Sequence, residues 1–545
     1  MNYKEIYQQW LKFDEATRKE LLGIKDEKEI EDRFYKNLAF GTGGLRGLMG
    51  AGPNRINSYT VRKVTYGLAQ YIQENFQNNS SVVIAYDTRN GSREFANDAA
   101  SVFCASGVKV FLFEKVAPTP VLSFAVRHLK ASAGIVITAS HNPKEYNGYK
   151  VYNQYGGQLV PSEATEVIRS INEVKGFDSI PTSDLRIDEE NGKLNLVGPE
   201  LLDTFLKEAS QQSVHKNEEN NLKVVYTPLH GAGNIPVRKI LKDFELSVVQ
   251  EQELPDGNFS TVHSPNPEER DALTIAIQQA KTENADIVIG TDPDCDRIGV
   301  AIKHNGSYEL LSGNQIGALL VDFVLKNRET SKKSTLIKTI VTNDLGAEIA
   351  QKHGLKVLNT LTGFKYIGDK ITEFEHTGAQ EFVIGYEESY GYLVGTHARD
   401  KDAVVAALLI CEMANTYKNK GFTLLDQLEE LYNEYGFYLD ALDSFTLKGI
   451  EGSKKIKQLM TDIKNLAEGF IPDTSVFLDY NKGIDELPKE DVLKFILNDG
   501  SWIAIRPSGT EPKIKIYYSI KAADKNDAQN KLNSIKKIIK AKILE

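Results

Sequence analysis

Short apolar runs alternate with longer amphipathic stretches along most of the chain, and this pattern predicts strands separated by helices. Eight runs have the length and composition of buried strands: 82–86, 108–113, 134–138, 223–226, 247–250, 286–289, 336–341 and 381–384. Strands spaced in this way are typical of parallel or mixed sheets covered by helices. The pattern therefore predicts an α/β protein.

The C-terminal part of the chain follows a different pattern, in which apolar segments succeed one another with only a short break. The segments 492–497 and 502–506 flank the turn-forming residues 498–501, which predicts a hairpin around a glycine. A further apolar segment at 514–518 predicts another strand, and 528–543 has the spacing of an amphipathic helix. We expect a small α+β domain at this end.

The length of the chain predicts several domains, because 545 residues exceed what one hydrophobic core normally supports. Near the N-terminus, four apolar residues fit one helix face: Ile6, Trp10, Leu11 and Phe13. The Glu-, Asn- and Lys-rich segment 207–221 predicts a linker. The expected divisions are an N-terminal helical extension at 1–39, domain I at 40–208, domain II at 209–305, domain III at 306–434 and domain IV at 435–545.

The composition argues against several classes of protein. The 65 basic and 75 acidic residues give a formal net charge of −10, which argues against a nucleic-acid-binding protein. Cys104, Cys295 and Cys411 lie far apart, so neither a disulfide framework nor a zinc site is predicted. No secretory signal is visible, and the longest apolar run, 403–411, is less than half a membrane span. We therefore expect a cytoplasmic protein without membrane association.

Three carboxylates at alternate positions follow the predicted strand 286–289, and they are Asp292, Asp294 and Asp296. In an extended loop this spacing points all three side chains to one side. Oxygen ligands without histidine or paired cysteine favour Mg²⁺ over Zn²⁺. A calcium-binding EF-hand is excluded, because the sixth and twelfth positions of such a loop would be Arg297 and Lys303. A solvated acidic turn is the alternative, but the flanking apolar strands favour a metal site.

Ser140 lies in the run 138–143, directly after the predicted strand 134–138. A serine at the end of a strand is commonly a helix N-cap, and a serine hydrolase is disfavoured because no G-x-S-x-G sequence surrounds it. A phosphorylated Ser140 would place about two negative charges beside the metal, which neutralises them and makes the phosphoryl group transferable. Lys150 is a candidate general acid or base, since neighbouring cations can lower a lysine pKa, although alone it would be interpreted as a surface lysine.

Further segments have side chains suited to phosphate and sugar. The segment 506–512 combines an arginine, two hydroxyls and amides flanking a glycine, which suits a phosphate. The glycine-rich segment 40–47 contains Arg46 but matches neither the P-loop nor the dinucleotide pattern. Glu387 and Ser389 could grip neighbouring sugar hydroxyls. A polar cluster follows them, which is otherwise interpreted as a charged loop before a helix: His397, Arg399, Lys401 and Asp402.

In this order, the segments resemble those of the α-D-phosphohexomutase superfamily, and the chain is similar to its phosphoglucomutase branch, which includes phosphopentomutase-like and sugar-bisphosphate-synthase-like members. The resemblance covers roughly 40–523. The segments similar to the phosphoserine, metal, sugar and phosphate loops are, respectively, 138–143, 292–297, 387–389 and 506–510. The resemblance implies a four-domain α/β architecture: three similar α/β domains with mixed sheets and a C-terminal α+β domain surround a central cleft, and each contributes one loop.

The resemblance also implies a role for each matching residue. The implied catalytic residues are Ser140 as phosphoserine, Lys150 as acid or base, Arg46 near the transferred phosphoryl group, and His141. The implied Mg²⁺ ligands are Ser140, Asp292, Asp294 and Asp296. The implied sugar-binding residues are Glu387, Ser389, Thr362, Gly363, Arg297 and Lys365. The implied phosphate-binding residues are Arg506, Ser508, Gly509 and Thr510, and His397 and Lys401 are additional candidates.

The implied reaction is the reversible interconversion of α-D-glucose 1-phosphate and glucose 6-phosphate. Phosphorylated Ser140 would give its phosphoryl group to the sugar monophosphate, and glucose 1,6-bisphosphate would be both intermediate and activator. We expect a small-molecule sugar phosphate as partner and a monomer or weak oligomer. Domain closure by the C-terminal domain would exclude water, because hydrolysis would leave an unphosphorylated enzyme.

Other functions stay open at the level of the sequence. Phosphopentomutase or phosphomannomutase specificity and sugar-bisphosphate synthesis are compatible with the same loops. A phosphoserine-type sugar phosphatase would release phosphate, and a non-catalytic sensor would only bind the sugar phosphate. Tyr386 replaces a glycine that is common in glucose-specific members, and Phe364 stands where many have tryptophan. Both departures bear on strict glucose specificity.

Overall fold

The computed structural model describes residues 2–77, 79–177, 179–214, 219–447, 449–485, 487–507 and 513–544. The α-helices are α1 Tyr3–Trp10, α2 Glu15–Gly23, α3 Glu27–Phe34, α4 Ser58–Asn75, α5 Ser92–Ala105, α6 Thr119–His128, α7 Pro161–Glu173, α8 Leu185–Glu190, α9 Pro199–Ser210, α10 Asn234–Ile240, α11 Gln250–Glu253, α12 Thr274–Glu283, α13 Gly313–Asn327, α14 Leu345–Lys352, α15 Phe364–Thr377, α16 Ala403–Asn419, α17 Leu424–Tyr435, α18 Gly449–Leu466 and α19 Lys525–Leu544. Short 3₁₀ helices occur at Arg270–Leu273, Ala467–Phe470 and Tyr480–Lys482.

The described strands form four sheets, of six, five, four and five strands. The strands are β1 Gly44–Leu48, β2 Ser81–Tyr86, β3 Lys109–Phe113, β4 Ala133–Ile137, β5 Tyr146–Asn153, β6 Leu194–Val197, β7 Lys223–Thr227, β8 Glu245–Val248, β9 Ile287–Thr291, β10 Ile298–His304, β11 Ser307–Leu311, β12 Ser334–Thr339, β13 Lys356–Thr360, β14 Glu381–Glu387, β15 Gly391–Val394, β16 Phe437–Thr446, β17 Thr474–Asp479, β18 Leu493–Leu497, β19 Trp502–Pro507 and β20 Lys513–Ala522.

The chain folds into two units. The first comprises 1–313, 364–385 and 389–421, and the second comprises 314–363, 386–388 and 422–545. In the first unit, a six-stranded sheet has the order β1-β5-β4-β2-β3-β6, in which β4, β2, β3 and β6 run parallel and β5 runs antiparallel to both of its neighbours, β4 and β1. A five-stranded sheet has the order β11-β10-β9-β7-β8 and the same mixed character. Both sheets confirm the predicted mixed α/β organisation.

The six-stranded sheet is buried by helices because its central strands are apolar on both faces. Every residue of β2 and of β4 is buried, and α4 and α5 pack against the sheet through small and branched side chains. Asn57 caps α4 by accepting the backbone N–H of Thr60, and the Thr60 hydroxyl accepts the backbone N–H of Asn57. The turns that follow the buried strands therefore begin at fixed positions in the sheet.

The second unit contains an antiparallel C-terminal sheet of order β16-β20-β19-β18-β17. Alternate residues of β19 and β20, such as Ile503, Ile505 and Ile516, enter a core that Leu532 and Ile539 of α19 complete. The parallel strands β12 and β13 also belong to this unit. The hairpin predicted around Gly500 and the terminal helix are thus observed.

Some local predictions were wrong. Gln250 is not in a strand, because β8 ends at Val248 and Gln250 begins α11. Phe13 lies beyond the end of α1, although its ring centre lies 5.0 Å from that of Trp10. The apolar residues predicted to share one helix face therefore belong to one hydrophobic cluster but not to one helix. The start of the predicted linker, 207–210, belongs to α9, and 215–218 lie outside the described residues.

The proposed domain divisions stay predictions. The division at 305/306 falls in the turn between β10 and β11, which pair antiparallel in one sheet. The hairpin favours a division after Leu311, because a cut at the turn would separate two paired strands. No helix in the described part of the chain is long and apolar enough to cross a membrane.

Lys494 is a cation buried in the second unit, and its side chain should make stability depend on pH. It is 7% exposed, donates to the carbonyl of Ile340 at 2.7 Å and lies 4.1 Å from the ring centre of Trp502. Burial and then the neighbouring Lys338 lower the pKa of Lys494 to about 7, and Asp344 opposes them. In the unfolded chain the pKa returns to its ordinary value of 10.5.

Between these two pKa values the unfolded state binds more protons, so Lys494 makes the folded state relatively more stable as pH rises. Relative to Lys494→Met, the wild type should gain roughly 1 kcal/mol of unfolding free energy per pH unit between about pH 7 and 9. Below pH 7 both states are charged and the difference should level off. Denaturant unfolding of both proteins in a Trp10→Phe background, followed by the fluorescence of Trp502, measures the difference, and a difference independent of pH would contradict the assignment.

Candidate active site

The turn after β4 places Ser140 in a fixed, buried position. Ser140 is 2% exposed and has a φ of 52°, a left-handed conformation that is rare for a residue with a side chain. Its backbone N–H donates to the hydroxyl of Thr138 at 2.8 Å, and that hydroxyl donates to Asp87 at 2.6 Å. The Ser140 hydroxyl is therefore presented by a held turn rather than by a helix N-cap.

The acidic loop joins β9 to β10 and turns its carboxylates inward. The backbone N–H groups of Asp296 and Arg297 donate to Oδ1 of Asp292 at 3.1 and 3.0 Å. All three aspartates are buried, and ligand oxygens of Asp292, Asp294 and Asp296 lie within 4.8 Å of one another. The loop is a tight turn rather than the extended segment expected, but the carboxylates do converge.

The two loops meet at the serine hydroxyl. Ser140 Oγ donates to Oδ2 of Asp292 at 2.5 Å, across 152 positions of sequence. Burial, then Asp294 and Asp296, raise the pKa of Asp292 well above its ordinary value. Three carboxylates held this close in a buried turn repel one another unless cations compensate them.

The donor set fits a divalent metal ion. Oδ1 of Asp294 and Oδ1 of Asp296 are buried and have no hydrogen-bond partner, although buried carboxylate oxygens normally have one. Hard oxygen donors of this kind are the ligands that Mg²⁺ takes in proteins. Among the described residues, this is the one group of three acidic, histidine or cysteine side chains close enough to hold a metal ion.

Lys150, on β5, contacts the same carboxylates. Its Nζ lies 2.7 Å from Oδ2 of Asp294 and 3.1 Å from Oδ2 of Asp296, and Thr119 also donates to Asp294 at 2.9 Å. Burial alone would lower the pKa of Lys150, but Asp294 and Asp296 outweigh it and the pKa is raised. Neighbouring cations can lower a lysine pKa, but here the nearest charges are carboxylates and the cation Lys401 contributes less.

Three other predicted residues lie around the serine turn. Arg46, on β1, is exposed and donates to the side chain of Asn142 at 3.1 Å. His141 Nδ1 lies 3.2 Å from Ser140 Oγ, and burial, followed by Arg297 and Arg46, lowers the pKa of His141 well below its ordinary value. His141 therefore places a neutral imidazole beside the Ser140 hydroxyl. Arg297 forms an ion pair with Glu268.

Residues from the segments 364–385 and 389–421 of the first unit extend this region. Lys401 Nζ lies 3.3 Å from Oδ2 of Asp296, so this additional candidate joins the acidic cluster. Lys365 donates to the hydroxyl of Thr42 in the glycine-rich segment. Ser389 is half-buried in the turn after β14. His397 Nε2 instead donates to the carboxylate of Asp402 at 2.7 Å, and Asp402 caps α16, so that pair supports the helix start.

The second unit holds the other predicted binding residues. Glu387, at the end of β14, accepts the backbone N–H of Gly363 at 3.0 Å, which joins two predicted sugar-binding residues, and Thr362 is adjacent. Arg506, at the end of β19, pairs with Glu490 at 2.8 Å. Ser508, Gly509 and Thr510 lie outside the described residues.

Tyr386 and Phe364, the two residues expected to bear on sugar choice, are both buried, and their effect on the choice of sugar stays a prediction. Tyr386 is fully buried, and Cβ atoms added at Gly317 or Gly346 would lie 2.3 Å from its ring or hydroxyl atoms. Its side chain therefore fills a core space that these glycines of α13 and α14 leave. Phe364 is also buried, with the Lys401 ammonium 5.7 Å from its ring centre.

The sequence reasoning missed Arg89 and Thr119, which both reach this region. Arg89 is 3% exposed and donates to backbone carbonyls of the Ser140 turn. Its position directly after β2, in the polar run Asp87-Thr88-Arg89, was a signal comparable to that of the serine run. Thr119 begins α6, and nothing in its sequence context distinguishes it from an ordinary helix start.

Four family models match the chain in order. They are described as Phosphoglucomutase/phosphomannomutase alpha/beta/alpha domains I, II and III and C-terminal domain, and they match residues 37–176, 202–306, 312–435 and 451–529. Together they account for well over half of the chain.

Named relatives cover nearly the whole chain. The phosphoglucomutase of Staphylococcus saprophyticus is 36% identical over an alignment of 551 positions, which covers 97% of this chain and 99% of that protein. The phosphoglucomutase of Staphylococcus aureus strain MRSA252 is 38% identical over an alignment of 531 positions, which covers 94% of this chain and 95% of that protein. Among solved structures, the open form of the Paramecium phosphoglucomutase pp63/parafusin has a TM-score of 0.71 at 18% identity and covers 92% of this chain and 95% of that chain.

Proposed function

The chain belongs to the phosphoglucomutase/phosphomannomutase family, and from this membership we propose that it interconverts α-D-glucose 1-phosphate and glucose 6-phosphate. It is an intramolecular phosphotransferase, since its relatives over nearly the full length are phosphoglucomutases. Ser140 is the proposed carrier of the phosphoryl group, and glucose 1,6-bisphosphate is the proposed intermediate and activator.

One observation carries the proposal: the hydroxyl of Ser140 donates to Asp292 at 2.5 Å within a buried acidic turn. A serine used only for capping or packing would not need three carboxylates beside it. Two oxygens of those carboxylates, on Asp294 and Asp296, have no hydrogen-bond partner. The arrangement supports a group that alternates between a hydroxyl and a phosphate ester next to a cation.

The proposed Mg²⁺ ligands are Ser140, Asp292, Asp294 and Asp296. When bound, Mg²⁺ would neutralise charge on the phosphoryl oxygens and so favour transfer in both directions. Lys150 already neutralises part of the acidic cluster, with its ammonium 2.7 Å from Asp294.

In the forward direction the bond between phosphorus and Ser140 Oγ breaks and a bond to the free sugar hydroxyl forms. A proton passes to the leaving Ser140 Oγ and the proton of the sugar hydroxyl is taken up in exchange; on return of the other phosphate, Ser140 Oγ gives up its proton and one is supplied to the leaving sugar oxygen. We assign these transfers to Lys150, whose ammonium form gives a proton to the leaving oxygen and whose resulting amine takes the proton of the attacking hydroxyl. Neutral His141, 3.2 Å from Ser140 Oγ, and Arg46 are the proposed groups beside the reacting phosphate.

The other assignments follow from family membership residue by residue. The proposed sugar-binding residues are Glu387, Ser389, Thr362, Gly363, Arg297 and Lys365. The proposed binders of the phosphate that is not transferred are Arg506, Ser508, Gly509 and Thr510. Lys401 is proposed as an additional contact of the substrate, and His397 as the support of Asp402.

The proposal is tested by ³¹P NMR of glucose 1-phosphate, mannose 1-phosphate and ribose 1-phosphate with Mg²⁺ and trace glucose 1,6-bisphosphate. We expect glucose 1-phosphate to be converted fastest, with dependence on the bisphosphate and without release of inorganic phosphate. Faster conversion of ribose or mannose phosphate would reassign the sugar. Released phosphate as the main product would replace the mutase with a phosphatase.

A further inference from the structure

We propose that Arg89 is a positioning residue that holds the Ser140 turn in its reactive conformation; this rests on the proposed function of Ser140. Arg89 follows β2, and Asp87 fixes it locally by accepting its backbone N–H at 2.9 Å. The side chain is fully buried, and its guanidinium lies 4.9 Å from the ring centre of Phe259. A guanidinium enclosed in this way has one rigid set of donors.

These donors converge on the carbonyls of one segment. The guanidinium donates to the backbone oxygens of Ser140 and Asn142, to that of Pro143 at 2.9 Å and to that of Tyr146 at 3.2 Å. One side chain thus contacts four carbonyls within residues 140–146, which run from the turn after β4 to the first residue of β5. The backbone of this segment makes its own turn bonds, from Asn142 to Ala139 and from Tyr146 to Pro143, both at 3.1 Å, and the arginine adds four more from a single side chain.

The turn needs such support because its central residue is strained. Ser140 has a φ of 52°, which L-residues with a side chain rarely adopt. Relaxation to negative φ would swing the hydroxyl away from Asp292, which it now contacts at 2.5 Å. Displacement of a reacting atom by about 1 Å can reduce the rate about 100-fold.

Asp87 links the arginine to the serine by a second route. Its Oδ2 lies 3.3 Å from Arg89 Nε and accepts the hydroxyl of Thr138, which in turn accepts the backbone N–H of Ser140. The Ser140 peptide unit is therefore held at its nitrogen through Asp87 and Thr138 and at its carbonyl by Arg89. The hydrogen bonds described for the guanidinium all go to backbone carbonyls and none to Ser140 Oγ, so Arg89 acts through the backbone.

Chemical rescue distinguishes this role from general support of the fold. We expect Arg89→Ala to lower kcat for glucose 1-phosphate about 100-fold, with KM changed by less than about threefold. Addition of about 20 mM guanidinium, far below denaturing concentrations, should raise the kcat of this variant at least about tenfold. Ammonium at equal concentration should not rescue. Arg89→Lys, which keeps the charge but loses the fork of donors, should remain folded and show a similar kcat defect.

Arg62→Ala is the matched control, because Arg62 pairs with Asp98 and is not part of the Ser140 turn. It should keep kcat and show no response to guanidinium. Hydrogen exchange of the peptide 138–146 gives a readout that does not need mutase activity: it should accelerate in Arg89→Ala and slow again with guanidinium. Unchanged exchange in a folded Arg89→Ala, or full kcat without guanidinium, would overturn the proposal, whereas an inactive wild type with rescued exchange would count against the proposed reaction alone.

Discussion

In Ser140→Ala, the rate of glucose 1-phosphate conversion is expected to fall about 10⁵-fold or more, because no other group is proposed to carry the phosphoryl group. The hydroxyl is small and buried, so its removal should leave the fold intact and also remove one hydrogen bond to Asp292. The measurement is the initial rate with saturating Mg²⁺ and glucose 1,6-bisphosphate, together with intact mass before and after incubation with the bisphosphate.

Ser101→Ala is a suitable control, since Ser101 is a buried serine whose hydroxyl donates to the carbonyl of Ser183. It should keep both the activity and the mass increase of one phosphoryl group. Substantial mutase activity in Ser140→Ala would show that the phosphoryl group travels by another route.

Asp292→Asn is expected to separate activity from stability. The amide retains an oxygen for the backbone N–H groups of Asp296 and Arg297, but one of three mutually repelling carboxylates is lost. Without Mg²⁺ the variant should therefore melt at the same temperature as the wild type or higher. Its affinity for Mg²⁺ should fall at least about 10-fold and its kcat at least about 100-fold.

Melting curves without Mg²⁺, titration calorimetry with Mg²⁺ and initial rates measure these three effects. Asp243→Asn, a change at an exposed aspartate outside the cluster, should alter none of them. A variant that binds Mg²⁺ as the wild type does would remove Asp292 from the ligand set. Chelation with EDTA should abolish wild-type activity reversibly.

The sequence predicted the fold class well because apolar runs and amphipathic stretches are local signals. The eight predicted strands are all observed, with limits shifted by a few residues, and the α/β family assignment is confirmed by the four matching family models. Strand limits such as that of β8 depend on pairing with β7, which a local pattern does not contain.

The structure brings Ser140, Lys150 and the three aspartates together in one buried cluster, while their roles stay predictions. Their presence at strand ends was readable, but the charges around Lys150 were not. Its raised pKa results from Asp294 and Asp296, which lie 144 and 146 positions away in the sequence. The order of residues along the chain does not show which charged side chains lie close together in the fold.

Side-chain direction was the other quantity that the sequence left undetermined. Tyr386 precedes the predicted sugar-binding Glu387, and successive residues of a strand point to opposite faces. Tyr386 consequently enters the core beside Gly317 and Gly346, a placement that its position in the sequence did not show. Arg89 was missed for the same reason, because its four backbone partners lie 51 to 57 positions further along the chain.

The central claim is that Ser140 is both donor and acceptor of the transferred phosphoryl group. Enzyme incubated with ³²P-labelled glucose 1,6-bisphosphate is freed of ligand, mixed with unlabelled glucose 1-phosphate, quenched at intervals and digested. We predict that the label is on the peptide containing Ser140 at the start and passes to the sugar at least as fast as turnover. Label on another peptide, or loss from Ser140 slower than turnover or only as inorganic phosphate, would contradict the account.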